Sequence, residues 1–353
     1  MKKLLKHMSP LAPDDSGVCG VLYEMGGITV ICDAGGCAGN VCGFDEPRWH
    51  TKKSALFSAG LRDMDAILGR DDLLVHKLSL ICEQIDAPFT AIVGTPVPAV
   101  IATDFHALER MSERKTGLPC LTFETDGTRR YDYGEALAYE ALFRKFAVER
   151  FPVTPQSVGV LGITPLNTGL TTAEPVMKKL KDEGFRKVVC FGMDSGLDDV
   201  IRASECETLL VTAPSGMKAA RFLHDRFGTE IRIGYPCLPH ETVRTAEKLR
   251  GRRVLILHQQ FAANALRSRL TDCEADCATW FMQEKQFAAQ GDFRIAGEET
   301  LVQASERYDV IIADAVMRRI VPKFTGEWID FPHYAVSGCA RESGCLTGTE
   351  ARL

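Results

Sequence analysis

The segment Cys32-Asp33-Ala34-Gly35-Gly36-Cys37-Ala38-Gly39-Asn40-Val41-Cys42-Gly43 spaces three thiols as C-x4-C-x4-C, with Cys19 thirteen residues upstream of Cys32. Thiolates that converge on one point are the ligands of iron–sulfur clusters. Gly35, Gly36 and Gly39 let the backbone curl between the thiols and bring N–H groups close to a cluster's sulfurs. The spacing matches neither common ferredoxin pattern. Cys37, Cys42, Cys19 and Cys32 are therefore candidate metal ligands, and the three glycines candidate shapers of the cofactor loop. The alternative is a strand with one buried cysteine followed by a tight loop of incidental thiols. Cys32 falls inside the expected strand, so Cys37 and Cys42 are the better placed pair. Two such loops brought together in a dimer would complete a four-thiolate set.

Other residues could move protons. Asp104, Asp126 and His258 each stand just beyond an expected strand, where an acid or an imidazole can serve a bound substrate. Each could equally cap the next helix or turn. Cys237 and His240 form C-x-x-H in a Pro-rich turn, and Cys339 and Cys345 lie in a polar tail. Two ligands do not make a site. Cys82, Cys190, Cys206, Cys273 and Cys277 are expected to be core or helix thiols, since free cysteine packs as a small hydrophobe. The sequence has neither G-x-x-x-x-G-K-[ST] nor G-x-G-x-x-G, so ATP and NAD binding have no basis in it.

Composition bounds these options. Thirteen cysteines, an odd number, in 353 residues argue against a disulfide framework and for a reducing compartment. The net charge of -5, with no basic stripe, argues against nucleic-acid binding. No apolar run reaches the roughly 18 residues of a membrane helix, and Met1–Met8 is too short in apolar residues for a secretory signal. A cytoplasmic protein with no membrane contact is expected.

The elements that must position these groups alternate short β-rich runs with helical stretches, the pattern of parallel sheets with crossover helices. Strands are expected at Ile28–Cys32, Phe89–Gly94 and Leu121–Glu124, with helices at Asp71–Ile85, Ala99–Thr116 and Tyr133–Arg150. A Pro-containing linker at Phe151–Gln156 precedes strands at Ser157–Ile163, Lys187–Phe191, Thr208–Thr212 and Ile231–Gly234, with helices at Ala173–Glu183 and Met217–Phe227. After a break at Tyr235–His240 come strands at Arg253–Leu257, Phe293–Ile295, Val310–Ala313 and Trp328–Phe331, and a long helix over Asp272–Ala289. The expectation is α/β, three Rossmann-like units with short parallel sheets flanked by helices, divided at 1–154, 155–238 and 239–353. Functional loops then lie beyond the carboxyl ends of the strands.

Ile28–Cys42 resembles the segment of nitrogenase component 1 proteins in which a strand runs into a His-Gly-Pro-x-Gly-Cys loop, and Cys37 falls on that cysteine. Ile92–Asp104 resembles the family's next strand and turn, and Leu121–Gly127 with Gly134 the one after it. The rhythm continues through Val158–Gly162, Ala219–Gly228, Ile233–Leu238 and Gly251–Leu257, so the likeness covers nearly the whole chain. Cys32-Asp33-Ala34-Gly35 stands where the family has His-Gly-Pro. The family's first and third cluster cysteines would fall near Leu11 and Pro96, where this chain has none. Cys19 and Cys42 would substitute, which implies a [4Fe–4S] cluster rather than a double cubane. The resemblance implies a homodimer or a heterodimer with a paralogue, and an iron-protein ATPase as electron donor. A second metallocofactor or substrate would sit between the three units. The activity implied is that of the catalytic component of a nitrogenase-like reductase. A scaffold for metallocluster assembly, or a metal-free small-molecule binding module, are the alternatives.

Overall fold

In a computed structural model describing residues 5–339, the chain forms three separate, wholly parallel sheets. The first holds β1 (Ile28–Ile31), β2 (Ala55–Ser58), β3 (Thr90–Val93) and β4 (Cys120–Phe123) in the order β2-β1-β3-β4. The second holds β5 (Thr154–Leu161), β6 (Lys187–Cys190), β7 (Cys206–Val211) and β8 (Glu230–Ile233) in the order β6-β5-β7-β8. The third holds β9 (Arg252–Leu257), β10 (Cys273–Thr279), β11 (Phe293–Arg294), β12 (Val310–Ala313) and β13 (Glu327–Asp330), ordered β11-β10-β9-β12-β13. Central strands such as β1, β3 and β12 are buried along their whole length. Their continuous apolar runs are what helices on both faces of a parallel sheet demand. The expected fold class is the observed one.

In each sheet the first strand is flanked by two others reached in opposite directions, so the order reverses between β1 and β3, β5 and β7, and β9 and β12. Loops diverge at such a switch point and leave a crevice at the carboxyl edge. The Cys32–Gly43 loop leaves β1 there. Thr164 and Asn167 follow β5, Ser215 follows β7, and His258 follows β9.

The expected Asp272–Ala289 helix is not formed. Cys273–Thr279 is instead β10, paired with β9 from Cys273↔Arg252 to Ala278↔Leu257. The run Cys-Glu-Ala-Asp-Cys-Ala-Thr alternates small apolar and acidic residues, a period of two that outweighs the helix propensity of its alanines. The expected Ala99–Thr116 helix splits into Pro96–Val100 and Phe105–Thr116, because Asp104 caps the second piece by accepting from Ala107 N at 2.9 Å. Strand β2 and the helices Asp14–Leu22 and Gln260–Arg267 were not expected from the sequence pattern.

The Asp14–Leu22 helix crosses the Tyr131–Phe146 helix with backbones almost touching. A Cβ on Gly17 would lie 1.8 Å from Tyr131 O, and one on Gly134 would lie 1.8 Å from Asp14 O. Only glycine at both positions allows this approach. Forcing a methyl into a packed contact costs about 1–3 kcal/mol, more where backbone must move. Gly134→Ala is therefore expected to lower unfolding stability by about 2 kcal/mol or more in denaturant titration, despite alanine's better helix propensity. Gly196→Ala, where a Cβ would meet nothing within 4 Å, serves as the control and should stay near the parent value.

Candidate functional site

The cysteine loop is built from the end of β1. Cys32 N donates to Val93 O at 2.8 Å, and Thr95 Oγ1 donates to Cys32 O at 2.8 Å, so Cys32 continues the strand. Gly35, at φ 119, then turns the chain into a short helix at Gly36–Asn40, followed by a wide π-helical turn at Val41–Asp45. The buried Asp33 carboxylate ties the turn together, accepting from Ala38 N at 2.8 Å and Ser58 Oγ at 2.6 Å. At the far end Asp45 accepts from Ser16 Oγ at 2.6 Å and Asn40 Nδ2 at 2.7 Å.

A fully buried arginine fastens the segment that follows. Arg48 donates to Glu46 through Nε and Nη2, to Glu24 through Nη1 at 2.7 Å, to Gly20 O at 2.6 Å and to Gly192 O at 2.7 Å. Gly192 follows β6, so one guanidinium joins the first sheet's loop to the second sheet. Breaking such a buried, hydrogen-bonded pair leaves an uncompensated charge and is costly.

The four candidate thiols are divided. Cys32 packs with Ile28, Val30 and Leu74 on one side of the first sheet. Cys19 packs on the other side with Val18, Leu22 and Ile31, and Cys37 and Cys42 pack against that same cluster. Cys37 and Cys42 are half-buried, whereas Cys19 and Cys32 are buried. Burial pushes all four thiols up: Cys32 to about 12, and Cys19, Cys37 and Cys42 above the ordinary 9.0. Asp15 adds to the rise at Cys19 and Cys37, and Glu46 adds to it at Cys42. Ligation of a metal must therefore displace protons from these thiols. Among the described residues no group of three or more His, Cys, Asp or Glu side chains is disposed to hold a metal ion.

Fit to a cluster can still be judged from this side of the sheet. The side chains offered are soft thiols, and a Cβ on Gly35, Gly36, Gly39 or Gly43 would meet nothing within 4 Å, so the loop's outer surface is clear. Beneath the loop, Asp15 is buried and its Oδ1 has no hydrogen-bond partner among the described residues. Burial, and then neighbouring Asp14, push its carboxyl up to about 7. The same edge also exposes apolar side chains on three successive segments: Phe44 after β1, Ile67 after β2 and Val100 after β3, at 72%, 74% and 84% exposure. Apolar surface gathered on one edge of a sheet is characteristic of an interface.

The other candidates lie apart from the thiols. Asp104 is the helix cap described above. Asp126 accepts from Thr128 N at 2.8 Å and Thr128 Oγ1 at 2.7 Å. Burial opposes ionisation of Asp126, but these bonds and Arg129 outweigh it and hold the carboxyl below its usual range. His258 is buried, stacked between Phe331 and His333 at centroid distances of 4.2 and 4.1 Å. Its Nδ1 accepts from Gln259 N at 2.9 Å, which puts the ring proton on Nε2, 3.2 Å from Pro332 O. Cys237 is buried, His240 begins the His240–Ala246 helix, Cys339 is exposed, and Cys345 lies outside the described residues.

Glu135 was not anticipated. It is fully buried on the helix after the first sheet and accepts from loops beyond the second: from Thr164 Oγ1, from Asn167 Nδ2 at 2.8 Å and from Ser215 Oγ at 2.7 Å. Tyr131 Oη, one turn earlier, donates to Asn167 Oδ1 at 2.8 Å and lies 2.9 Å from His333 Nε2. Tyr131, Glu135, Tyr139 and Phe143 recur every four residues and are all buried. A lone acid in that apolar stripe is the signal that could have found it. Burial pushes its carboxyl up to about 8, against which the hydroxyl and amide donors act. An acid whose folded-state pKa is raised contributes stability below its unfolded value, near 4.5, and loses it as pH rises through about 8. Parent protein should therefore lose stability between those limits in thermal unfolding, and Glu135→Gln should flatten that slope. An unchanged slope would remove Glu135 as its source.

Residues 34–302 match the family described as nitrogenase component 1 type oxidoreductase. Over 176 residues, 49% of this chain, the sequence is 26% identical to the nitrogenase iron-molybdenum cofactor biosynthesis protein NifE of Bradyrhizobium diazoefficiens. The matched stretch spans 32% of that relative's length. Two solved structures, nitrogenase Cp1 at pH 5 and at pH 6.5, superpose with TM-scores of 0.69 and 0.68 over 95% of this chain and 85% and 86% of theirs. At 13% and 11% identity they establish the likeness of fold.

Proposed function

The chain belongs to the nitrogenase component 1 type oxidoreductase family, and from that premise we propose that it is the cluster-bearing catalytic component of a nitrogenase-like reductase. Cys37 and Cys42 are the ligands this chain offers to an iron–sulfur cluster, with Cys19 behind them. A [4Fe–4S] cluster is completed by the same loop of a second copy or of a paralogue. The observation that carries this reading is the pairing of two half-buried thiols, on a glycine-turned loop, with exposed Phe44, Ile67 and Val100 along the same edge. When bound, the cluster supplies one-electron transfer, and an iron-protein ATPase docked over the shared edge is the electron source.

This chain's own residues have defined tasks in that scheme. Gly35 sets the turn that holds Cys37 outward, and Asp33 locks it through Ala38 N and Ser58 Oγ. Arg48 keeps the end of the loop fixed on the second sheet. Protons displaced from the thiols on ligation need a nearby acceptor, and the unpaired Oδ1 of Asp15 can hold one. Cys32, on the other side of the sheet, is left in the core.

A second reading has its own support. The similarity to a cofactor biosynthesis protein favours a scaffold that carries a metallocluster and releases it. Transfer separates the two: a scaffold loaded with labelled iron passes it to an apo-acceptor, whereas a reductase keeps it through turnover.

Purified and reconstituted anaerobically, the parent protein is expected to contain iron and acid-labile sulfide and to show a cluster EPR signal on reduction. Cys37→Ala and Cys42→Ala should lose most of that iron, while Cys32→Ala should keep it and unfold more easily. Parent-level iron in both loop variants would sink the proposal. Ile67→Asp, which puts a charge on the apolar edge, should shift the cluster-bearing species toward monomer in sedimentation velocity, and an unchanged sedimentation profile would move the interface elsewhere.

A further inference from the structure

A cavity of about 640 Å³ opens between the first and third sheets, remote in sequence from the cysteine loop. One wall is the segment after β4, with Arg129, Arg130 and Asp132, and the other follows β10 and β11, with Trp280, Phe281 and Arg294. Three guanidinium groups thus face one space. Among the described residues none of the three has an ion-pair partner. Arg129 lies over the Tyr133 ring, at 4.1 Å from its centroid, and its charge also acts on Asp126.

The one acid in the wall is already engaged. Asp132 is buried, and its carboxylate accepts from the backbone N–H groups of Met282 and of Tyr133. It holds the two walls together and forms no hydrogen-bonded pair with the arginines. Arg130 is half-buried, and that burial works against its charge, lowering the guanidinium below its ordinary value. The charge of Asp132 acts on both Arg130 and Arg294, so one carboxylate serves two guanidinium groups, and an added anion would relieve the burial cost at Arg130. The floor is apolar, with Phe281 and Ile295 buried, and it holds a second unmet group: Trp280 is 6% exposed, and its Nε1 has no acceptor among the described residues.

The chain also spends interactions on shaping this space. The backbone N–H groups of Lys6, His7 and Met8 all donate to the Glu298 carboxylate, at 2.9, 3.0 and 3.1 Å. That clamp brings Leu5 into the wall beside Gly297.

We propose that this cavity binds an organic polyanion, an apolar body carrying at least two carboxylate or phosphate groups, held by Arg130 and Arg294 with Arg129 at the rim. Guanidinium forks match the planar oxygens of both groups, and Trp280 Nε1 adds a donor at the apolar end. The cavity is far too small for a macromolecule's surface, which leaves small molecules. The site stands independently of the cluster reading.

The probes are benzene-1,3,5-tricarboxylate, inorganic pyrophosphate and, as the single-charge control, benzoate, titrated into the full chain by calorimetry and by Trp fluorescence. Tricarboxylate or pyrophosphate should bind in the millimolar range or tighter and benzoate at least about tenfold more weakly, with the better of the two identifying a carboxylate or a phosphate ligand. Arg294→Gln, at an exposed position where folding is not at risk, and Arg130→Gln should each weaken binding about tenfold or more. Arg186→Gln, a surface change elsewhere, and Cys37→Ala should leave it unchanged. No binding of either polyanion to the parent, or equal binding by the Arg294→Gln and Arg186→Gln proteins, would overturn the assignment. Loss of cluster iron in Cys37→Ala with polyanion binding intact would show that the two sites fail or stand separately.

Discussion

The architecture depends on a backbone-to-backbone approach, the crossing of the Asp14–Leu22 and Tyr131–Phe146 helices at Gly17 and Gly134. Each glycine faces the other helix's carbonyl at a distance that no side chain tolerates. Because the crossing is at backbone distance, residues flanking the glycines are placed without slack. On one helix this puts Asp15 and Cys19 beneath the cysteine loop. On the other it puts Tyr131, Asp132 and Glu135 into the space between the sheets. Small residues at a helix contact exchange side-chain area for precision of placement, and here both candidate sites and the buried centre inherit it.

Apolar clusters run from the first sheet to the second and from the second to the third, and buried polar groups add ties between the units. Glu135 gathers donors from the loops after β5 and β7, while Tyr131, on the helix that follows the first sheet, meets His333 and through it His258 beyond the third. Arg48 makes the corresponding tie between the first and second. Buried polar networks of this sort are favourable only when satisfied, so they fix one relative arrangement of the units. The contrast with the arginine-lined cavity is informative. There, among the described residues, the guanidinium groups form no ion pair, although elsewhere the same chain surrounds a buried arginine with five hydrogen bonds to protein oxygens.

The division of the cysteines follows from one rule of strand geometry. Side chains alternate across a strand, so Ile28, Val30 and Cys32 share one face and Ile31 takes the other. Cys32 continues that alternation, and Gly35 ends it by turning the chain so that Cys37 and Cys42 come to the opposite side, above Cys19. Loop glycines and strand parity together decide on which side of the first sheet each of these thiols lies.

Local information in the sequence determined a great deal: the parallel α/β class, most strands, the glycine-bent cysteine loop and its place after the first strand are all readable from runs of four to eight residues. It misled where two local preferences competed, as in Cys273–Thr279, whose period-two pattern was hidden by alanines. Tertiary structure alone decided on which side of the first sheet each thiol packs, that Glu135 is buried among Thr164, Asn167 and Ser215, and that Arg130 and Arg294, far apart in sequence, line one cavity. The physical reason is that propensity and periodicity act within a single element. The environment of a charge or a thiol is set by whichever elements pack against it, and that information lies in no single stretch of chain.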